Sequence, residues 1–321
     1  MKKGYFYIFI TTLLFSSMEI AMKIVANQYN PIQLTFIRFF IGALILVPLI
    51  RKELKVRGIS LYKKDLAFFS LTGFICIVVS MSLYQLSLLY CQASIVAVLF
   101  SCNPVFITTL AYFILKEKVT KLTIISIVIS IIGMIFILNP WHISGGNKIS
   151  GMIFVVLSAA TFAFYAVIGK SKSDKYGGIV TTGCTFIVGS IEMLILILLT
   201  HISFISGLLT SCGLNIFADI PVIRGITLQS IPSLVYIGVL VTGLGYTLYF
   251  LAMEKTSAIT ASVVFFIKPA LAPVLAFLII HESITLNTIV GIILIIAGSS
   301  ITFISNSGST NSRSTKPSLK S

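Results

Sequence analysis

Of the chain's 321 residues, 57% are hydrophobic and only 10% charged, with a mean hydropathy of +1.06. Too few polar side chains remain to cover a water-soluble globule of that size, so lipid is the expected solvent. A formal net charge of +14 would suggest nucleic acid as the partner of a soluble protein; in a lipid-embedded chain it reads as a topology signal, and no nucleic-acid partner is expected.

Runs long enough to cross a hydrocarbon core of about 30 Å predict ten transmembrane helices, approximately 4–26, 32–50, 66–89, 94–115, 119–138, 151–169, 179–200, 231–253, 258–280 and 285–304. They are apolar on all sides, whereas barrel strands alternate over about ten residues. Lys2 and Lys3 precede the first run as in a signal peptide. The stretch Met18-Glu19-Ile20-Ala21-Met22 offers no small-residue cleavage pattern, so this span is expected to remain in the mature protein. Glu19 and Lys23 have the favourable acid-first i,i+4 spacing for a helical ion pair. At 1.5 Å per residue they lie about 22 Å and about 28 Å from the inner edge, which lets Lys23 snorkel to the outer interface.

The second span follows Pro31 and holds Arg38, about 9 Å below the outer surface. Arg38 is within reach of Glu19 or of Glu192 in the seventh span, and a structural role is expected for it. Tyr84, Tyr165, Tyr246 and Tyr249 are aromatics that can line a cavity, although packing is the default for an aromatic in a span. The fourth span contains Asn103 before Pro104 and the ninth contains Lys268 before Pro269. Lys268 is about 15 Å deep, the midplane, and Asn103 reaches a similar depth from the opposite side. Each proline removes a helix donor and frees a carbonyl one turn back, so helix breaks are expected at Pro104 and Pro269.

Glu117 and Glu282 end the fourth and ninth spans, where helix ends account for them. The cysteines Cys76, Cys91, Cys102, Cys184 and Cys212 lack metal or disulfide spacing, and His142, His201 and His281 form no ligand cluster, so neither metal nor cofactor is expected. The connection around 201–230 has room for a short interfacial helix. The polar, low-complexity segment 305–321 reads as a disordered cytosolic tail.

The spans repeat. At a constant offset of 165, Gly73, Tyr84, Ala93, Phe100, Pro104, Glu117 and Gly133 fall on Gly238, Tyr249, Ala258, Phe265, Pro269, Glu282 and Gly298. At an offset of 147, Gly4, Phe15, Lys23, Phe39 and Gly42 fall on Gly151, Phe162, Lys170, Phe186 and Gly189. With the N-terminus cytosolic, most of the 23 lysines and arginines collect on the cytosolic face, among them Arg51, Lys52, Lys55, Arg57, Lys63 and Lys64. Ten spans then leave both termini cytosolic. Five spans per copy is an odd number, so the second copy inserts upside down. The expected fold is an all-α integral membrane protein of two inverted five-helix repeats.

These residues resemble the EamA type of the drug/metabolite transporter superfamily over essentially the whole chain. The resemblance rests on Phe15-Ser16-Ser17 leading to Lys23, Pro31 leading to Arg38, Ala93-Ser94 leading to Pro104 and Glu117, and Ser257-Ala258 leading to Pro269 and Glu282. The family usually carries Trp-Gly where this chain has Phe15-Ser16, and an apolar residue at Glu19. The resemblance implies residues 1–140 and 151–304 as two EamA-like units. It also implies a carrier of small metabolites in the cytoplasmic membrane with a central cavity between the halves.

Charges in lipid-spanning segments cost on the order of 2.5–3.5 kcal/mol and tend to face a cavity or a partner. A polar residue at mid-depth beside a helix break is the usual construction of a carrier site, which marks Lys268 and Asn103. The mixed signs suit a molecule with a carboxylate and an amine. The expected function is therefore a secondary carrier exporting an amino acid or related zwitterion by alternating access, with the lipid bilayer and a small-molecule substrate as its partners. The rival within transport is proton-coupled extrusion of cationic drugs, with Glu19 as the proton group. An integral-membrane enzyme would need a carboxylate-metal or histidine constellation that the sequence lacks, and an ATP-driven pump would need a P-loop.

Overall fold

The computed structural model describes residues 2–138, 148–281 and 284–311, so His142 and Glu282 fall outside the described residues. Among these residues every regular element is a helix. In chain order they are α1 (Lys3–Val25), α2 (Pro31–Arg57), α3 (Lys63–Tyr90), α4 (Ala93–Leu115), α5 (Lys121–Leu138), α6 (Ile149–Tyr176), α7 (Gly178–Leu199), α8 (Ser203–Ser211), α9 (Ile231–Lys255), α10 (Ala258–Ile280) and α11 (Leu286–Asn311). Eight are long and apolar enough to cross a membrane. Shorter apolar stretches, Lys121–Phe136 in α5 and Leu286–Gly298 in α11, fall on the fifth and tenth expected spans. In hydrocarbon each backbone group must be satisfied internally, and continuous helices do this.

Local chemistry sets the ends. At the start of α2 the Asn30 side chain accepts from the Ile32 N–H at 2.9 Å and Pro31 occupies the first turn, while Gly58, with φ of 63°, terminates it in the left-handed conformation. Glu117, beyond the end of α4, accepts from the backbone N–H groups of Ala258 and Ile259 at 2.9 and 3.1 Å and so caps α10. Glu254 caps α7 by accepting from the Gly178 N–H at 2.8 Å, and its other oxygen meets Arg57 at 2.9 Å. The two carboxylates place an anion at the positive end of a helix dipole.

Breaks in the helices follow the repeat only in part. Both α3 and α9 widen into π-helix, over Phe74–Met81 and Tyr236–Gly245, stretches that overlap at the repeat offset. The helix of α4 is interrupted at Ser101 and Cys102, and Asn103-Pro104 opens the next helical segment. In α10 the interruption expected at Pro269 lies instead at Ser262, and Val263–Ile280 runs as helix through both Pro269 and Pro273. The short Ala258–Ala261 turn before it is held by the Glu117 carboxylate and by Ser257, whose hydroxyl accepts from the Thr260 N–H at 3.0 Å. That anchorage separates the turn from the rest of α10 ahead of the prolines.

The two copies touch through matching contacts. A Cβ on Gly73 would meet Gly189 Cα at 2.7 Å, and at the repeat-related positions a Cβ on Gly42 would meet the Gly238 carbonyl at 3.3 Å. Gly4 abuts Lys255 and Thr256, and Gly151 abuts their counterparts Tyr90 and Cys91. Gly133 packs on Gly291 and Ile295, and Gly298 on Ser126 and Ser130. Each contact is answered by its counterpart, as in an isologous interface. At the centre Phe15 and Phe265 lie 6.1 Å apart and their counterparts Phe162 and Phe100 5.5 Å apart, with Phe100 and Phe265 5.7 Å from each other.

The short α8 stands in the 201–230 connection and buries none of its residues. Helix α11 continues to Asn311, into the segment expected to be a disordered tail. Once an apolar helix has nucleated, adding residues costs far less than starting one, which carries it into polar sequence. Residues 312–321 lie outside the described residues.

Candidate functional site

Glu19 on α1 is 0% exposed, and so is Lys268 on α10. The two form an ion pair, and the Tyr84 hydroxyl of α3 donates to the same Glu19 oxygen, Oε1. Lys268 Nζ also lies 5.0 Å from the Phe100 ring centre and 5.7 Å from that of Tyr84, within cation–π range. Glu19 Oε2 has no hydrogen-bond partner among the described residues. The cluster therefore joins α1, α3, α4 and α10. It brings together the two copies of the repeat and leaves one acceptor open.

Lys23, expected to face Glu19 one turn away, instead donates to the carbonyls of Leu88 at 2.7 Å and Cys91 at 3.0 Å, at the C-terminal end of α3. A cation there complements the helix dipole. The Asn103 amide donates to the Ala159 carbonyl of α6 at 2.8 Å, and its Oδ1 has no partner among the described residues. Arg38 is fully buried on α2; its Nη1 reaches Met18 Sδ at 3.8 Å, while Nε and Nη2 have no hydrogen-bond partner among the described residues. Glu192 accepts from the Ser70 hydroxyl, not from Arg38.

The four tyrosines are all buried, with different fates. Tyr84 serves Glu19. Tyr246 donates to its repeat counterpart Met81 at Sδ, 3.0 Å away, while the hydroxyls of Tyr165 and Tyr249 have no hydrogen-bond partner among the described residues. No group of three or more His, Cys, Asp or Glu side chains could hold a metal among the described residues, and the five cysteines are free.

Repeat symmetry holds for the scaffold and fails for the three fully buried charges, Glu19, Lys268 and Arg38. Tyr84 packs on Phe100 at 4.8 Å and its counterpart Tyr249 on Phe265 at 5.5 Å. The counterparts of Glu19 and Lys268 are Ala166 and Asn103, and that of Arg38 is Thr185. The ionic chemistry is thus confined to one side of a symmetric aromatic core. The pairing of Glu19 with Lys268 and Tyr84 was not visible in the sequence; the one signal pointing to it was that both charges lay well inside their spans.

Known proteins share this chain from end to end. It is 41% identical over 312 residues to an uncharacterized transporter of Clostridium kluyveri, covering 95% of this chain and 94% of that one. It is 24% identical over 290 residues to the uncharacterized transporter YoaV of Bacillus subtilis, covering 89% and 92%, and 25% identical over 309 residues to protein PagO of Salmonella typhimurium, covering 95% and 94%. A solved crystal structure superposes with a TM-score of 0.68 at 14% identity over 95% of this chain and 98% of its own, a likeness of fold. The model of the EamA-like transporter family matches residues 2–139 and again residues 149–304. The chain, a multi-pass membrane protein of apolar helices, belongs to the EamA-like transporter family.

Proposed function

We propose that the chain is a secondary carrier that exports a small polar metabolite, an amino acid or related zwitterion, across the cell membrane by alternating access. Its ten helices form two inverted five-helix repeats, 1–140 and 151–304, with both termini in the cytosol. The observation that carries the reading is the fully buried Glu19–Lys268 pair, which joins α1 of the first copy to α10 of the second. A zwitterion entering the pair presents its ammonium to Glu19, whose Oε2 is open, and its carboxylate to Lys268. Replacing one ion pair by two keeps Glu19 and Lys268 compensated in a medium where an unpaired charge is costly. Rocking of the halves about the aromatic centre then passes the ligand from one side to the other.

Extrusion of cationic drugs through Glu19 is the weaker reading, because Lys268 already holds the one fully buried acid among the described residues in an ion pair. The carrier reading is tested by counterflow in proteoliposomes: labelled amino acids are offered to vesicles preloaded with the unlabelled compound. Saturable uptake that requires Glu19 supports it. Vesicles in which no zwitterion exchanges, although the protein is folded, would refute it.

A further inference from the structure

The carrier reading leaves Arg38 unused. Of the charged side chains that are 0% exposed among the described residues, Glu19, Lys268 and Arg38, only Arg38 has no partner of opposite charge. Its guanidinium lies 4.5 Å from the Phe39 ring centre, and Nη1 touches Met18 Sδ at 3.8 Å. The free groups are Nε and Nη2. These two N–H groups lie in the guanidinium plane along one edge and together form the side-on fork that receives both oxygens of a carboxylate.

The surroundings agree. Phe39, on which the guanidinium lies, packs against Tyr246, whose hydroxyl is a neutral polar neighbour of Arg38 and donates to Met81 Sδ at 3.0 Å, so it supplies no counter-charge. The three charges sum to one net positive charge. Tyr246 is walled in by Phe15, Phe39, Phe162 and Phe186, with ring centres 5.1, 5.6, 5.8 and 5.4 Å away. An unpaired guanidinium against such a wall is costly unless an anion completes it.

We infer that Arg38 is an anion anchor, binding a carboxylate side-on through Nε and Nη2, and that the ligand is a net-anionic carboxylate. An amino acid with a second carboxylate satisfies Glu19, Lys268 and Arg38 together; a simple carboxylate with an apolar body satisfies Arg38 and the aromatic wall. That the carboxylate is transported rests on the carrier reading, whereas its binding at Arg38 does not.

The test uses the purified full-length protein in detergent micelles and two matched pairs of probes, glutamate with glutamine and 3-phenylpropionate with 3-phenylpropionamide. At least one carboxylate is expected to raise the unfolding temperature saturably while its neutral partner does not. Arg38→Lys keeps the charge but loses the fork and is expected to weaken that binding at least about tenfold. Equal effects of the charged and neutral members of both pairs on the wild-type protein overturn the inference without recourse to any variant, as does wild-type affinity in a folded Arg38→Lys protein. Counterflow separates the two readings. Carboxylate binding without exchange of any solute upholds the anchor and overturns the carrier, whereas exchange with no preference for the charged probes upholds the carrier and overturns the anchor.

Discussion

Glu19 and Lys268 meet in a fully buried ion pair although they come from different copies of the repeat, and the positions that mirror them hold Ala166 and Asn103. Duplication supplies a symmetric frame of glycine contacts and stacked rings. The three fully buried charges have no charged counterpart across it. The charges are asymmetric and the frame around them symmetric, so substitutions at the charges and at the frame are expected to have separable consequences.

For the charges, removing one member strands the other. Glu19→Leu and Lys268→Met are each expected to cost about 3–5 kcal/mol of stability, while the two replacements together recover most of it, because deleting a whole buried pair is close to neutral. The double variant is expected to fold and to carry nothing. Detergent-unfolding curves and counterflow measure the two properties separately. Additive destabilisation in the double variant would show that the two side chains are not coupled.

For the frame, the contact distances differ between the equivalent sites. A Cβ on Gly189 meets the Gly73 backbone at 2.8 Å, whereas one on Gly42 meets the Gly238 carbonyl and the Gly243 nitrogen at 3.3 Å. Gly189→Ala forces two helix backbones apart and is expected to cost about 1–3 kcal/mol, more than Gly42→Ala, where a shift of a few tenths of an ångström suffices. Melting of the two variants under identical conditions tests the order, and a reversed order refutes it.

The orientation rests on charge. Ser60 is exposed in the basic connection between α2 and α3, which the lysine and arginine distribution assigns to the cytosol. A cysteine at Ser60, in a protein lacking the five native cysteines, is expected to resist a membrane-impermeant maleimide in intact cells and to react in inverted vesicles. Labelling in intact cells overturns the topology.

Much of this architecture was legible in the sequence because lipid imposes a simple rule. Backbone groups must be satisfied within each span, so apolar run length marks the helices, and the offsets that relate Gly73 to Gly238 and Gly42 to Gly189 mark positions that make matching contacts, Gly73 with Gly189 and Gly42 with Gly238. The site was less legible. Glu19 and Lys23 have ideal helical spacing, yet Lys23 turns to the carbonyls of Leu88 and Cys91 because α3 ends beside it, and Glu19 finds Lys268 across the bundle. Local spacing cannot weigh partners that only tertiary packing supplies. The same holds for Pro269: its effect on α10 depends on how Glu117, distant in sequence, anchors the preceding turn.

The equivalent tyrosines Tyr84 and Tyr249 offer the most selective test, because their rings share one environment and their hydroxyls do not. Each packs edge-on against a phenylalanine of the central cluster, Phe100 or Phe265. The Tyr84 hydroxyl donates to Glu19, while the Tyr249 hydroxyl is buried without a partner among the described residues. A hydrogen bond to a charged acceptor is worth about 1.5–3 kcal/mol, whereas an unsatisfied buried hydroxyl contributes nothing favourable. Tyr84→Phe is therefore expected to lower the unfolding stability by that amount and to slow counterflow, since it leaves Glu19 with Lys268 alone. Tyr249→Phe is expected to leave both unchanged or to raise stability by up to about 1 kcal/mol, since it removes only the cost of burying the hydroxyl. Equal losses in the two variants would mean that the ring packing, and not the bond to Glu19, is what Tyr84 contributes.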